Sequence, residues 1–118
     1  MVEQKSIVVT GISGTIMKYL LPEMAWASSS VTALSRRWIS STDVTEVLEG
    51  ELTGEEFLNR SLIGADTVIH AAALTRSANA AKLKKSNEDV TEALIRAAEQ
   101  NGVQRFIFFS SDLATFPV

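Results

Sequence analysis

Residues 7–15 read IVVTGISGT, and this stretch decides the fold. The β-branched run at residues 6–10 predicts a buried strand, which leads directly into a turn with two glycines. Gly11 permits a tight turn, and Gly14 allows the backbone to come close to a ligand. The following segment has apolar residues at helical spacing. A strand, a glycine-rich turn and a helix in this order are typical of a site that binds a dinucleotide pyrophosphate.

The glycine pattern is incomplete, because Met17 stands where a third glycine usually follows. One reading is that the methionine moves the helix away from the strand and weakens the pyrophosphate site. The other is that it fills a gap in the core, as methionine often does. We expect a site that is retained but weakened.

Four further strands are predicted, at residues 31–34, 44–48, 68–70 and 106–109, and helical patterns alternate with them. The run at 106–109 shows no polar alternation, so we expect a strand buried on both faces. Such alternation of strands and helices predicts an α/β fold. Right-handed crossovers then give a Rossmann-like, doubly wound parallel sheet of order 3-2-1-4-5, in one domain that spans residues 1–118.

Two of the predicted helices have marked ends. Thr53 and Glu56 match a capping box at the start of the first, in which each side chain bonds a free backbone N–H of the other. The second follows a polar segment, residues 75–87, and its apolar face consists of Val90, Leu94, Ala97 and Ala98. Asn101-Gly102 is placed to end it, with Val103 in the position of the usual apolar contact.

Composition excludes several classes of protein. The net charge is −3 and the isoelectric point about 5.1, which argues against a nucleic-acid binder. The chain has no cysteine and a single histidine, His70, so we expect no disulfide and no metal site. No apolar run approaches the length of a membrane span, and residues 1–5 do not form a signal peptide. We therefore expect a cytoplasmic protein without membrane partners.

Several motifs in fixed order resemble the N-terminal half of the extended short-chain dehydrogenases/reductases, the NAD-dependent epimerase/dehydratase family. They are the glycine turn at 10–14, LSR at 34–36, DTVIHAA at 66–72, NEDVT at 87–91, AAEQNGV at 97–103 and RFIFFSS at 105–111. The resemblance covers nearly the whole chain. It implies an oxidoreductase domain that binds NAD or NADP.

The resemblance also implies which residues line the cofactor. The pyrophosphate is assigned to Gly11, Ser13, Gly14, Thr15 and Ile16, and the adenine to Glu51 and Leu52. Ala71, Ala72 and Ala73 are assigned to the ribose. Asn87 matches the family's helix asparagine in the cofactor site, and Ser110 matches the end of strand five beside the nicotinamide. His70 is structural or lines the pocket in that family, so we do not assign it a catalytic role.

Cofactor choice depends on Ser35, Arg36 and Arg37, which occupy the end of the second predicted strand. A carboxylate at this position binds the ribose hydroxyls of NAD, whereas a guanidinium suits the additional phosphate of NADP. We therefore favour NADP over NAD. Alternatively, the two arginines form a solvated loop.

The family's proton-transfer residues, a tyrosine and a lysine four positions later, are absent. Tyr19 is the single tyrosine and lies in the first helical segment, and no lysine follows Lys85. We therefore expect a domain truncated after strand five, with no catalytic residue of its own and with sugar-nucleotide substrates only in a full-length parent. The alternative is a non-enzymatic module that responds to dinucleotides or assembles with itself. In either case the apolar fifth strand predicts a homo-oligomer.

Overall fold

The computed structural model describes residues 6–11, 19, 21–23, 30–36, 38, 44–72 and 80–110. Five parallel strands form one sheet: β1 (Ser6–Thr10), β2 (Ser30–Ser35), β3 (Glu46–Glu49), β4 (Thr67–Ala72) and β5 (Arg105–Ser110). Their order is β3-β2-β1-β4-β5. The predicted α/β class and strand order are confirmed. The first strand has its predicted bounds, and the ends of the others differ by one or two residues.

Helix α1 (Glu55–Ser61) connects β3 to β4, and its start differs from the prediction. Its N-cap is Gly54, and no side chain bonds the free backbone N–H groups there. The Gly54 N–H instead donates to the Glu51 carbonyl at 2.9 Å, which forms a turn immediately before the helix. Because this turn delays the helix by one residue, Thr53 is not the N-cap and the predicted capping box is wrong.

Helix α2 (Ala80–Gln100) connects β4 to β5 and begins within the polar segment that was expected to precede it. Residues 80–85 read AAKLKK, all strong helix formers, and this propensity outweighs the polar composition. The predicted end is confirmed. Gly102 has φ 69°, and the Val103 N–H donates to the Ala98 carbonyl at 3.0 Å. The described helices include none that is long and apolar enough to cross a bilayer.

The core lies on both faces of the sheet. Alternate strand residues such as Val8 and Val68 pack against α1 and α2, where Leu58, Leu62 and Leu94 are fully buried. On the opposite face lies a second cluster, which consists of Val9, Leu21, Val31, Ala33 and Ile69. The two-sided burial explains why the central strands are apolar without alternation.

Strand β5 is more exposed than predicted. Ile107 is 39% and Phe108 49% exposed, so the expectation of burial on both faces is wrong for this strand. The reason is its position, because in the described part of the chain β5 is an edge strand that pairs only with β4. An uninterrupted apolar sequence indicates that a strand is able to be buried on both faces. Its position in the sheet determines whether both faces are in fact covered.

Asp66 ties together the amino ends of three strands. Its carboxylate accepts the Ser6 N–H at 3.0 Å, and its backbone N–H donates to the Ser6 carbonyl at 2.9 Å. The Asp66 carbonyl in turn accepts the N–H groups of Gln104 and Arg105 at 3.0 and 3.2 Å. These bonds align the amino ends of β1, β4 and β5 at one edge of the sheet. They thereby determine how far the carboxyl end of each strand extends at the opposite edge.

Candidate functional site

The carboxyl edge of the sheet collects most of the predicted site residues that the structure describes. Because all five strands are parallel, the residues at or after their ends lie along this one edge. In spatial order they are Glu51 and Leu52 after β3, Ser35 and Arg36 at β2, Gly11 after β1, Ala71 and Ala72 in β4, and Ser110 in β5. Four strand spacings of about 4.8 Å make this row about 19 Å long.

The centre of the row lies between β1 and β4, where the chain order of the strands reverses. A crevice at such a point is where open α/β sheets bind ligands. Gly11 has φ 69° and lies against the end of β4, so that an added Cβ would collide with the Ala71 carbonyl oxygen and lie 3.0 Å from the Ala71 Cβ. A residue with a side chain at position 11 would therefore be strained and would separate the two strand ends.

The β2–β3 side of the edge carries exposed charge. Arg36 and Glu51 are both exposed, and Arg36 belongs to neither of the two ion pairs found among the described residues. Leu52 is half-buried and packs against the core. The Gly50 N–H donates to the Ser35 carbonyl at 2.9 Å, which holds the ends of β2 and β3 together. A polar ligand at this side would therefore meet a guanidinium and a carboxylate.

A chain of hydrogen bonds, buried at Thr10 and His70 and partly buried at Thr91, lies beneath the edge on the face that packs against α2. The Thr10 hydroxyl lies 2.6 Å from His70 Nδ1, and His70 Nε2 lies 2.9 Å from the Thr91 hydroxyl. The Thr91 hydroxyl donates to the Asn87 carbonyl at 2.8 Å. We refer to these residues as the Thr10–His70–Thr91 chain.

The direction of donation follows from the number of protons available. The Thr91 hydroxyl has one proton and donates it in the hydrogen bond to the Asn87 carbonyl, so the hydroxyl oxygen accepts a hydrogen bond from the Nε2–H of His70. In the neutral ring Nδ1 is then the acceptor, and it accepts a hydrogen bond from the Thr10 hydroxyl. Both ring nitrogens are thus engaged inside the protein. His70 is 3% exposed, and burial lowers its pKa from 6.5 to about 4, so it is neutral near pH 7.

Sequence reasoning missed Thr10 and Thr91 as parts of the site. A signal was present for Thr91, since it lies four residues after Asn87 and therefore above it on one helix face. Thr10 carried no such signal because its partner is 60 residues away. The ring of His70 also stacks on Phe108 in β5, with 5.3 Å between the ring centroids.

Some predictions fall on residues outside the described ranges, namely those for Ser13, Gly14, Thr15, Ile16, Met17, Arg37 and Ala73.

Asn87 lies in α2 and is half-buried. Tyr19 is 72% exposed. Among the side chains that the structure describes, no three acidic or histidine groups are arranged to hold a metal ion.

Comparison with known proteins identifies the relatives of this fold. The model of the NAD-dependent epimerase/dehydratase family matches residues 7–116. The chain belongs to this family. The match covers the strands and turns on which the resemblance in the sequence was based, so the predicted family is confirmed.

One similar protein is the decarboxylating sterol-4-alpha-carboxylate 3-dehydrogenase of Dictyostelium discoideum. It is 35% identical over 118 positions, which cover 92% of this chain and 36% of the relative. The chain thus spans about a third of the length of this relative.

Solved structures agree with the observed fold. The UDP-N-acetylglucosamine 4-epimerase of Bacillus cereus superposes with a TM-score of 0.76 at 22% identity, over 98% of this chain and 41% of that one. This likeness supports the Rossmann fold. MoeE5, solved in complex with UDP-glucuronic acid and NAD, gives a TM-score of 0.71 at 27% identity over 87% of this chain and 36% of its own.

Proposed function

We propose that the chain is the dinucleotide-binding part of an epimerase/dehydratase-family oxidoreductase. The observation that carries this proposal is the close approach of Gly11 to Ala71 at the point where the strand order reverses. A positive φ and the absence of a side chain are what a turn under a pyrophosphate requires. The family is NAD-dependent, and MoeE5 contains NAD in its complex.

The residues at the carboxyl edge suit such a ligand. The absence of a side chain at Gly11 and the small one at Ala71 leave room for the pyrophosphate and a ribose at the centre of the row. By their positions along the edge we assign Ser35, Arg36, Glu51 and Leu52 to the adenosine half, and Ala72, Asn87 and Ser110 to the nicotinamide half. Bound there, the nicotinamide supplies hydride transfer, while this chain binds the dinucleotide and orients it along the edge.

We further propose that NADP is preferred to NAD. The support is Arg36, which is exposed at the end of β2 and takes part in no ion pair in the described part of the chain. Its guanidinium is therefore available to the 2′-phosphate that distinguishes the two dinucleotides. No carboxylate follows β2 directly, where NAD-specific sites hold the ribose hydroxyls.

Catalysis in this proposal requires residues beyond these 118. The single tyrosine, Tyr19, is not followed by a lysine four positions later, and His70 has both ring nitrogens occupied. The bound ligand of MoeE5 makes a sugar nucleotide the substrate class that we propose for a complete enzyme. The purified chain of 118 residues should bind the dinucleotide without turning over a carbonyl substrate.

A second candidate function is self-assembly. It is favoured by the exposure of Ile107 and Phe108 on β5, an edge strand of the described sheet. Exposed apolar edge strands pair readily with another chain. We propose a homo-oligomer with this strand in the interface, which is compatible with dinucleotide binding at the carboxyl edge.

Calorimetric titration of the purified chain with NADP⁺ and, separately, NAD⁺ tests the proposed function. We expect binding of both, tighter for NADP⁺, and loss of that preference in Arg36→Ala because a charge-assisted contact to the phosphate is worth about tenfold in affinity. Arg60→Ala is the matched control, since Arg60 is also exposed but lies near the end of α1, away from this edge. Equal affinities in the wild type would contradict the NADP preference, and no binding at millimolar concentration would contradict the function.

A further inference from the structure

The Thr10–His70–Thr91 chain joins three segments that meet at the proposed ligand. Thr10 directly precedes Gly11, and His70 directly precedes Ala71. Thr91 lies one helical turn beyond Asn87 and bonds its carbonyl. Thr10 and His70 are therefore chain neighbours of residues at the carboxyl edge, and Thr91 is hydrogen-bonded to Asn87. All three lie beneath the surface that a ligand would contact.

The chain of bonds stabilises the observed arrangement of these segments. Thr10 and His70 are 1% and 3% exposed, so water has little access to them when a bond breaks. A buried donor or acceptor left without its partner carries the full desolvation penalty. Movement of the end of β1, the end of β4 or the Asn87 turn relative to the others would lengthen at least one of the bonds and leave such a group.

We propose that the Thr10–His70–Thr91 chain is a positioning device for the dinucleotide site, which fixes Gly11 at the end of β1, the end of β4 and the Asn87 turn of α2 relative to one another. The inference rests on the dinucleotide binding proposed above. His70 acts here through its neighbours, and its two fixed hydrogen bonds make it the link between the sheet and the helix.

Thr91→Val is the direct test, because valine has nearly the shape of threonine but neither accepts from His70 nor donates to Asn87. We expect a folded protein whose Kd for the preferred dinucleotide is raised about tenfold. Thr91→Ser keeps the hydroxyl and should restore the wild-type Kd. Thr10→Val breaks the other bond of His70 and is the second variant, to be used if the first does not fold.

Thr32→Val is the matched control. Thr32 is 8% exposed and lies on the same face of the sheet, in β2, but outside the chain. Its substitution should leave the Kd unchanged. An equal loss of affinity in this variant would show that any buried hydroxyl has the same effect, and would overturn the inference.

Three outcomes are distinguishable. If the wild type binds and Thr91→Val binds equally well, the positioning role is wrong while the proposed function stands. If the wild type binds neither dinucleotide, the proposed function fails and the positioning role fails with it. Nitrogen-15 chemical shifts of His70 should show the tautomer with the proton on Nε2, and a proton on Nδ1 would overturn the assigned chain of bonds irrespective of binding.

Discussion

Substitution Gly11→Ala should be the most damaging single change at the carboxyl edge. The backbone at Gly11 has φ 69°, and an L-residue held in this region costs about 1–2 kcal/mol. In addition, the new Cβ would collide with the carbonyl oxygen of Ala71, a backbone atom that cannot rotate away. Overpacking of this kind costs about 1–3 kcal/mol. We therefore expect urea unfolding to show a loss of about 2–5 kcal/mol in the free energy of unfolding, together with loss of dinucleotide binding.

Gly102→Ala separates the two contributions. Gly102 also has φ 69°, but an added Cβ there meets no atom within 4 Å. Its substitution should therefore cost only the conformational part, about 1–2 kcal/mol, and should leave dinucleotide binding intact because Gly102 precedes β5 at the opposite edge. If Gly11→Ala were no more destabilising than Gly102→Ala, the close approach of β1 to β4 on which the site is built would be refuted.

Three further predictions concern other parts of the fold. Asp66→Ala removes the acceptor of the Ser6 N–H and should lower the free energy of unfolding by about 1–3 kcal/mol, whereas removal of the exposed Asp89 carboxylate should have little effect. Burial lowers the pKa of His70 to about 4 from 6.5, so its neutral form stabilises the fold above pH 6.5 and that contribution is lost as the pH falls. As the pH is lowered from about 7.5 to about 5, the free energy of unfolding should decrease by about 2 kcal/mol. His70 is the only histidine in the chain, so a free energy of unfolding that does not change over this range would contradict its burial. If β5 forms the oligomer interface, Phe108→Ser should lower the mass found by light scattering. Tyr19→Ser, which removes an exposed aromatic ring elsewhere, should leave the mass unchanged. A monomeric wild type at high concentration would contradict the interface.

Local sequence signals predicted much of this fold. The apolar run before Gly11 gave the bounds of β1, and Asn101-Gly102-Val103 gave the end of α2, because each depends on neighbours within a few residues. The prediction of a capping box was wrong, although it too depends on neighbouring residues. Another local bond, from the Gly54 N–H to the Glu51 carbonyl, competed with it and moved the helix start.

The candidate site was predictable in outline and not in detail. Parallel strands in the order 3-2-1-4-5 necessarily bring their ends to one edge, so the positions of Arg36 and Glu51 there follow from the topology. The approach of Gly11 to Ala71 and the bond between Thr10 and His70 each join residues 60 positions apart. Both contacts depend on where β1 and β4 end. The periodicity of the sequence does not specify the end of a strand.

We propose that a nicotinamide dinucleotide lies across β1 and β4 at the carboxyl edge. Backbone amide NMR spectra recorded with increasing NADP⁺ are the first test of this position, because three glycines of positive φ report on both edges of the sheet. We expect the signals of Gly11, Ala71 and Asn87 to shift with the ligand, while those of Gly64 and Gly102, which precede β4 and β5, stay in place. Shifts confined to Gly64 and Gly102, or no shift anywhere at millimolar ligand, would contradict it.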